Sequence, residues 1–222
     1  MIPLRDVIPS RTTPYITITI ISLNALAWLF EVSLPHEVLN EFLTIYGVVP
    51  GDFSPPTLIT SMFLHGSWSH VIGNMWYLWI FGDNVEDRVG HGRFIVFYLL
   101  CGIAAALGQV AVDPNSMLPT IGASGAIAGV MGAYFVLYPH SRVLTLIPWW
   151  FLQIVELPAI ALLGFWFLMQ LFSAGAIAVT ANTHGGGGVA FAAHVVGFVA
   201  GMGGVFVFRK RELDPWDRVD TY

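Results

Sequence analysis

The sequence predicts an all-α, polytopic membrane protein: a six-transmembrane-helix bundle with both termini cytoplasmic. Three observations predict it. Of the 222 residues, 56% are hydrophobic and only 10% charged, where a soluble domain carries about 25% charged residues; mean hydropathy is +0.72. Six stretches reach or approach the roughly 20 apolar residues that a helix needs to cross a hydrocarbon core about 30 Å thick. All nine Lys and Arg residues fall on one side of the resulting arrangement, and the positive-inside rule makes that side cytoplasmic.

The spans run over 15–34, 68–82, 94–112, 122–138, 157–179 and 189–208, the second and fourth being short. Arg5 and Arg11 precede the first span, Arg88 and Arg93 follow the second, Arg142 follows the fourth, and Arg209, Lys210, Arg211 and Arg218 follow the sixth. The opposite loops, around 35–67, 113–121 and 180–188, contain none. Shifting the count by one span would scatter these charges, so the count and the charge map support each other. The expected organisation is a cytoplasmic tail over 1–14, a membrane domain over 15–208 and a cytoplasmic tail over 209–222. Span 1 also has signal-peptide features, with two arginines before it and Ala25-Leu26-Ala27 within it. Its apolar run continues through Trp28, Leu29 and Phe30, and cleavage would leave five spans, so it is read as a span.

Between the spans, the loop after span 1 holds "YGVVPGDFSPPT", whose prolines break helix, and apolar Phe42, Leu43 and Phe53. It is expected to be partly embedded or packed on the helices. "GGGG" at 185–188 is the one low-complexity tract. The single cysteine, Cys101, allows no internal disulfide. No basic patch or zinc-finger spacing accompanies the net charge of −5, so nucleic acid is not an expected partner.

Polar groups inside a bilayer are costly and are functional candidates by default. They are Asn24 in span 1, His70 and Asn74 in span 2, Gln109 in span 3, Ser124 in span 4, Gln170 in span 5 and His194 in span 6. Asn24, Gln109 and Gln170 read as interhelical hydrogen bonds. Ser124, His194 and His70 share a depth. Ser124 lies fourteen residues before Tyr138 and His194 fourteen before Phe208, which is roughly 21 Å above the inner boundary at 1.5 Å per residue. His70, thirteen residues before Asp83, reaches roughly 20 Å by the same rule. Asn74 lies one turn below His70 on the same helix face.

A serine needs a base within hydrogen-bond reach to become a nucleophile. The only lysine is Lys210, in the tail, and no Asp or Glu is expected at the level of Ser124. Histidine remains, which points to a Ser-His dyad without an orienting carboxylate. His70, Asn74 and the Ser124 backbone N–H could then donate hydrogen bonds to a developing oxyanion. Gly122, Gly125, Gly129 and Gly132 around Ser124, and Gly197 and Gly201 after His194, would let the two helices approach closely. That packing fits a satisfied polar pair as well as a catalytic one, and spacing alone leaves both readings open.

"FLHGSWSHVIGNMWYLWIFG" at 63–82, "GASGAIAG" at 122–129 and "AHVVGFVAG" at 193–201, in that order on the second, fourth and sixth spans, resemble the rhomboid family of intramembrane serine proteases. The resemblance implies the rhomboid type of six-helix bundle, with Ser124 as nucleophile, His194 as general base, and His70 and Asn74 stabilising the oxyanion. It implies that His65 helps hold the loop before span 2, and that Glu86 and Arg88 in "EDRVGHGRF" are structural. It implies transmembrane protein substrates, cut in or near their membrane helix, and no cofactor. Span 5, with Phe165, Trp166, Phe167 and Phe172, would be a lateral gate, and "THGGGG" at 183–188 a mobile cap. Many relatives carry an aromatic residue where this chain has Ala128, so another ring, Tyr134 or one from span 5, is expected to order His194. The first loop also lacks the Trp-Arg pair of some bacterial members.

His36, His91, His140 and His184 read as interfacial or solvated. A metal site is disfavoured because His65 and His70 do not stack on one helix face and no cysteine or carboxylate completes a usual ligand set. Trp and Tyr around 76–79 and 149–150 suit interfacial belts better than a cofactor box. A transporter would show repeated halves, which are absent. The alternative within the family is a catalytically inactive rhomboid-like protein that binds membrane clients; such relatives usually lose the Ser or the His, and both are present here. The short loops suggest a prokaryotic plasma membrane, with the site opening to the outer face.

Overall fold

A computed structural model describes residues 1–148, 152–180 and 190–210. Trp149, Trp150, the 183–188 loop with His184, Arg211 and Arg218 lie outside the described residues. The chain is mostly helical. In order come β1 (Ile2–Asp6), α1 (Tyr15–Glu31), α2 (His36–Tyr46), α3 (Thr57–Thr60), α4 (Trp68–Val89), α5 (His91–Val112), α6 (Ser124–Leu137), β2 (Arg142–Pro148), β3 (Leu152–Pro158), α7 (Ala159–Thr180) and α8 (Phe191–Phe208). Helices α1, α4, α5, α6, α7 and α8 cover the six apolar stretches. Two of them, α5 and α8, are long and apolar enough on those grounds alone to cross a membrane.

Helix α6 sits at the centre. Its residues from Gly125 to Tyr134 are all buried, as expected for a helix that is apolar all round. Its most extensive contact is with α8, and glycine makes that contact possible. A methyl group at Gly201 would overlap the carbonyl of Gly129, one at Gly197 that of Gly125, and one at Gly132 that of Phe198. The two backbones therefore touch directly, in the small-xxx-small manner.

Helix α4 runs seven residues beyond the expected end of span 2, taking in Asp83, Glu86 and Asp87, and stops at Gly90, whose φ is 88°. Glu86 closes the open N-terminus of α1, where Pro14 offers no side-chain cap, and Asp83 and Asp87 hold the segment just before it. Glu86, fully buried, accepts from the N–H groups of Ile16 at 2.9 Å and Thr17 at 2.8 Å, and from the Thr17 hydroxyl at 2.7 Å. His91, expected to be solvated, donates to the same carboxylate from Nδ1 at 2.5 Å. Asp87 accepts from the N–H groups of Arg11 and Thr12 and from the Thr12 hydroxyl. First-turn N–H groups lack intrahelical partners, and the Glu86 carboxylate from another helix supplies two of them here.

The all-α expectation needs one correction. Strands β1, β2 and β3 form an antiparallel sheet in that order. β2 and β3 pair over seven positions, from Arg142 with Pro158 to Pro148 with Leu152, and Ile2 pairs with Leu146. The period of two is visible in "RVLTLIP": Val143 and Thr145 are buried while their neighbours are less so. Alternation with β-branched residues favours strand over helix. The segment from 1 to 14, expected as a tail, thus contributes a strand at the end of the bundle where α4 and α6 finish. There the Asp6 carboxylate accepts from the Tyr134 hydroxyl at 2.7 Å and from Asn84 Nδ2 at 3.1 Å. Burial pushes its pKa up to about 6, against the Tyr134 hydrogen bond, with a further upward contribution from Asp83.

The loop after α1 packs on the bundle. Val48, fully buried, exchanges both backbone hydrogen bonds with Thr120, at 3.0 and 2.8 Å, and Met62 and Leu64 are buried beneath it. Asn24 differs from expectation: its Nδ2 donates to Ile20 O of its own helix at 2.8 Å. Gln109 Oε1 has no hydrogen-bond partner among the described residues.

Candidate active site

Ser124 is the first residue of α6 and is half-buried. Gly122, two residues earlier, adopts φ 123°, a region that glycine enters without steric cost. Its N–H donates to Ser61 O at 2.8 Å, which ties this bend to the packed loop. The bend ends the incoming chain and starts α6 at the serine. The hydroxyl therefore lies at a helix N-terminus, among N–H groups without intrahelical partners and at the positive end of the helix dipole.

His194 lies in the first turn of α8 and is buried. Its Nε2 is 2.8 Å from Ser124 Oγ. The equal depths read from the sequence thus correspond to a direct contact, made across the glycine-lined α6–α8 interface. In this arrangement the imidazole can take the hydroxyl proton. The other ring nitrogen, Nδ1, is 2.8 Å from Gln170 Oε1 on α7. Gln170 therefore makes an interhelical hydrogen bond, as expected, and its partner is the histidine of the site. Trp166, one turn earlier on α7, lies against the His194 ring, with centroids 5.8 Å apart and planes tilted by 38°. The ring that Ala128 does not supply comes from α7. Tyr134, the other expected source, is engaged with Asp6 and Ser141.

His70 and Asn74 occupy one face of α4, which begins at Trp68 with Ser67 as its cap. A Cβ placed at Gly122 would lie 2.8 Å from His70 Nε2 and 3.7 Å from Asn74 Nδ2. Both nitrogens therefore face the backbone just ahead of Ser124, and only glycine leaves them that room. The N–H of Gly66 approaches His70 Nδ1 at 3.5 Å, which suits the tautomer with its proton on Nε2, facing Gly122. Asn74 Nδ2 is held at 3.0 Å by His65 Nε2, and an amide nitrogen has a second hydrogen to donate.

His65 packs edge-on against His70, with ring centroids 5.0 Å apart. Its own N–H donates to Glu31 Oε2 at 3.1 Å. Glu31 corrects the expectation that no carboxylate lies at the serine's level. It is the last residue of α1 and fully buried, sixteen residues above Tyr15 and so at roughly 24 Å by helical rise. Its height was readable from the sequence, but its partner was not. Its hydrogen bond anchors the loop that carries His65 and is made to neither Ser124 nor His194. Among the described residues no group of three His, Cys, Asp or Glu side chains could share a metal ion.

A sequence model of the rhomboid domain matches residues 54–211, a stretch that contains every residue of this site except Glu31. The chain belongs to the rhomboid family. Among its relatives, the rhomboid YdcA of Bacillus subtilis is 35% identical over 129 residues, 56% of this chain and 62% of that protein. Rhomboid protein 1, mitochondrial, of Saccharomyces cerevisiae is 33% identical over 109 residues, 46% of this chain and 32% of that protein. Rhomboid protease GluP of Bacillus subtilis is 40% identical over 76 residues, 34% of this chain and 14% of that protein. The chain thus spans less than two thirds of the length of these relatives. Rhomboids are membrane-integral, and the apolar composition of this one agrees.

Proposed function

We propose that this rhomboid is an intramembrane serine endopeptidase that hydrolyses a peptide bond in or near the transmembrane helix of other membrane proteins. The observation that carries the reading is the 2.8 Å contact between Ser124 Oγ and His194 Nε2 at the buried N-terminus of α6. Ser124 Oγ attacks the scissile carbonyl while His194 takes its proton. The tetrahedral oxyanion receives hydrogen bonds from His70 Nε2, the free hydrogen of Asn74 Nδ2 and the Ser124 N–H. His194 then gives its proton to the leaving amine, and the amine departs from the acyl-enzyme. Water, deprotonated by the same imidazole, attacks the ester, releases the carboxylate and returns the proton to Ser124.

The six-span arrangement, with basic residues inside, would open this site toward the outer face of a prokaryotic plasma membrane. Peptide groups in a substrate helix are already hydrogen-bonded, so residues of low helix propensity near the cut favour cleavage. Under this reading α7 is the lateral gate. It rests on α8 and α6, with Phe165 and Phe172 exposed toward lipid and Trp166 and Phe167 turned inward onto Phe198.

The deciding experiment is cleavage of a model single-span substrate by purified protein in detergent, wild type beside Ser124→Ala and His194→Ala. Wild type is expected to cut and both variants to be inert. A wild type that binds several substrates without cutting any would instead identify a client-binding member of the family.

A further inference from the structure

The site read as a dyad has a third polar member, and it comes from α7. A neutral imidazole carries one proton, and which nitrogen holds it is set by the hydrogen bond that the other makes. For Nε2 to accept the Ser124 proton, the imidazole proton must sit on Nδ1. Nδ1 lies 2.8 Å from Gln170 Oε1, and an amide oxygen only accepts. The contact therefore selects the tautomer whose Nε2 lone pair faces Ser124. The described neighbours of the ring offer no carboxylate in its place. Trp166 and Phe191 are aromatic, and Glu31 is engaged with His65.

Resting on the protease reading above, we propose that Gln170 is a positioning residue for His194, so that the base is correctly oriented only while α7 is docked against α8. Trp166 and Gln170 are four residues apart and share one helix face. One helix thus supplies both the hydrogen bond and the aromatic wall that hold the imidazole. Any displacement of α7 outward withdraws both together. Substrate admission past α7 and orientation of the base are then alternative states of one element, and bond cleavage waits until α7 returns.

The test compares wild type, Gln170→Met and Gln170→Glu, with Ser124→Ala as the blank. Two readouts are used: the rate at which a small fluorophosphonate labels Ser124, and kcat and KM for a single-span substrate across pH. Methionine keeps the length and removes the acceptor. It is expected to slow labelling and lower kcat by about tenfold or more, with KM within about twofold, because only the reacting geometry is lost. Glutamate restores an acceptor. It is expected to recover most of the rate and to move the acid limb of kcat/KM to higher pH, since a carboxylate favours the imidazolium. The remaining charge-capable neighbour, His70, is unchanged throughout the series. Wild-type rates in Gln170→Met, or a Gln170→Glu variant no better than methionine with an unmoved acid limb, would overturn the proposal while leaving the protease reading intact. A wild type that labels no faster than Ser124→Ala would overturn the protease reading, and this inference with it.

Discussion

The two ends of the bundle are built by opposite means. At the end where α4 finishes, buried polar groups find partners in abundance: Glu86 accepts four hydrogen bonds, and Asp6 ties β1 to α4 and α6. Around Ser124, polar side chains are few and sparsely bonded, and the glycine contacts between α6 and α8 begin there and continue along both helices. His65 Nδ1 and Glu31 Oε1 have no hydrogen-bond partner among the described residues, and the hydrogens that would stabilise an oxyanion are left facing Gly122. A saturated network rigidifies a structure, whereas a site that must bind transient charge keeps donors uncommitted. Under the proposed function, the contrast separates stability at one end from chemistry at the other.

Five substitutions break or sharpen that contrast. The largest expected effect is on activity alone. Ser124→Ala or His194→Ala should lower cleavage by at least about a thousandfold while the melting temperature in detergent stays close to wild type. A collapse in melting temperature would mean that the pair is structural. Next, Gly201→Val inserts a side chain where α8 meets the Gly129 carbonyl. Overpacking of this kind costs about 3 kcal/mol. Both thermal stability and fluorophosphonate labelling should fall, because α6 and α8 carry Ser124 and His194, the proposed reacting groups.

Glu86→Ala attacks only the end where α4 finishes. Buried N–H groups of α1 lose their acceptor, at a cost of about 1–3 kcal/mol. The melting temperature should drop, while kcat per folded molecule, measured below the transition, should be retained. A loss of kcat equal to that of Gln170→Met would show that the two ends are not separable.

The smallest effect is a pH dependence. Burial raises the Asp6 pKa from 3.8 to about 6. The folded protein therefore binds this proton more tightly than the unfolded chain, and its stability falls as pH rises through that window. Asp6→Asn removes the slope. The melting temperature of the variant should gain on wild type between the two pKa values and hold a constant difference above about 6. Parallel curves would place the carboxylate in water and not against Tyr134.

Several of these features are legible in the sequence, and the reason lies in helical periodicity. At 1.5 Å per residue, counting residues along Gly122–Tyr138 and Val189–Phe208 gives a depth for Ser124 and His194, and glycine spacing says which faces can approach. Counting along a single span also reaches Glu31. It does not say what Glu31 touches, because His65 sits in a loop whose path the prolines only interrupt. The sheet escaped for a related reason. Strand β1 is five residues long, and its partner β2 lies more than a hundred residues away, so its pairing energy has no local signature.

By itself, the sequence determined that this is a membrane-embedded helical protein of the rhomboid type, and it marked Ser124, His194 and His70 as residues sharing one level, with Asn74 one turn below. These are properties of composition, periodicity and motif, and each is written along the chain. Only the tertiary structure decided how the helices are rotated about their axes. That rotation turns Gln170 and Trp166 of α7 toward His194, leaves Tyr134 to Asp6, and brings the chain's first residues into a sheet beside 142–158. Axial rotation depends on which side chains interlock across many interfaces at once, and no single span carries that information.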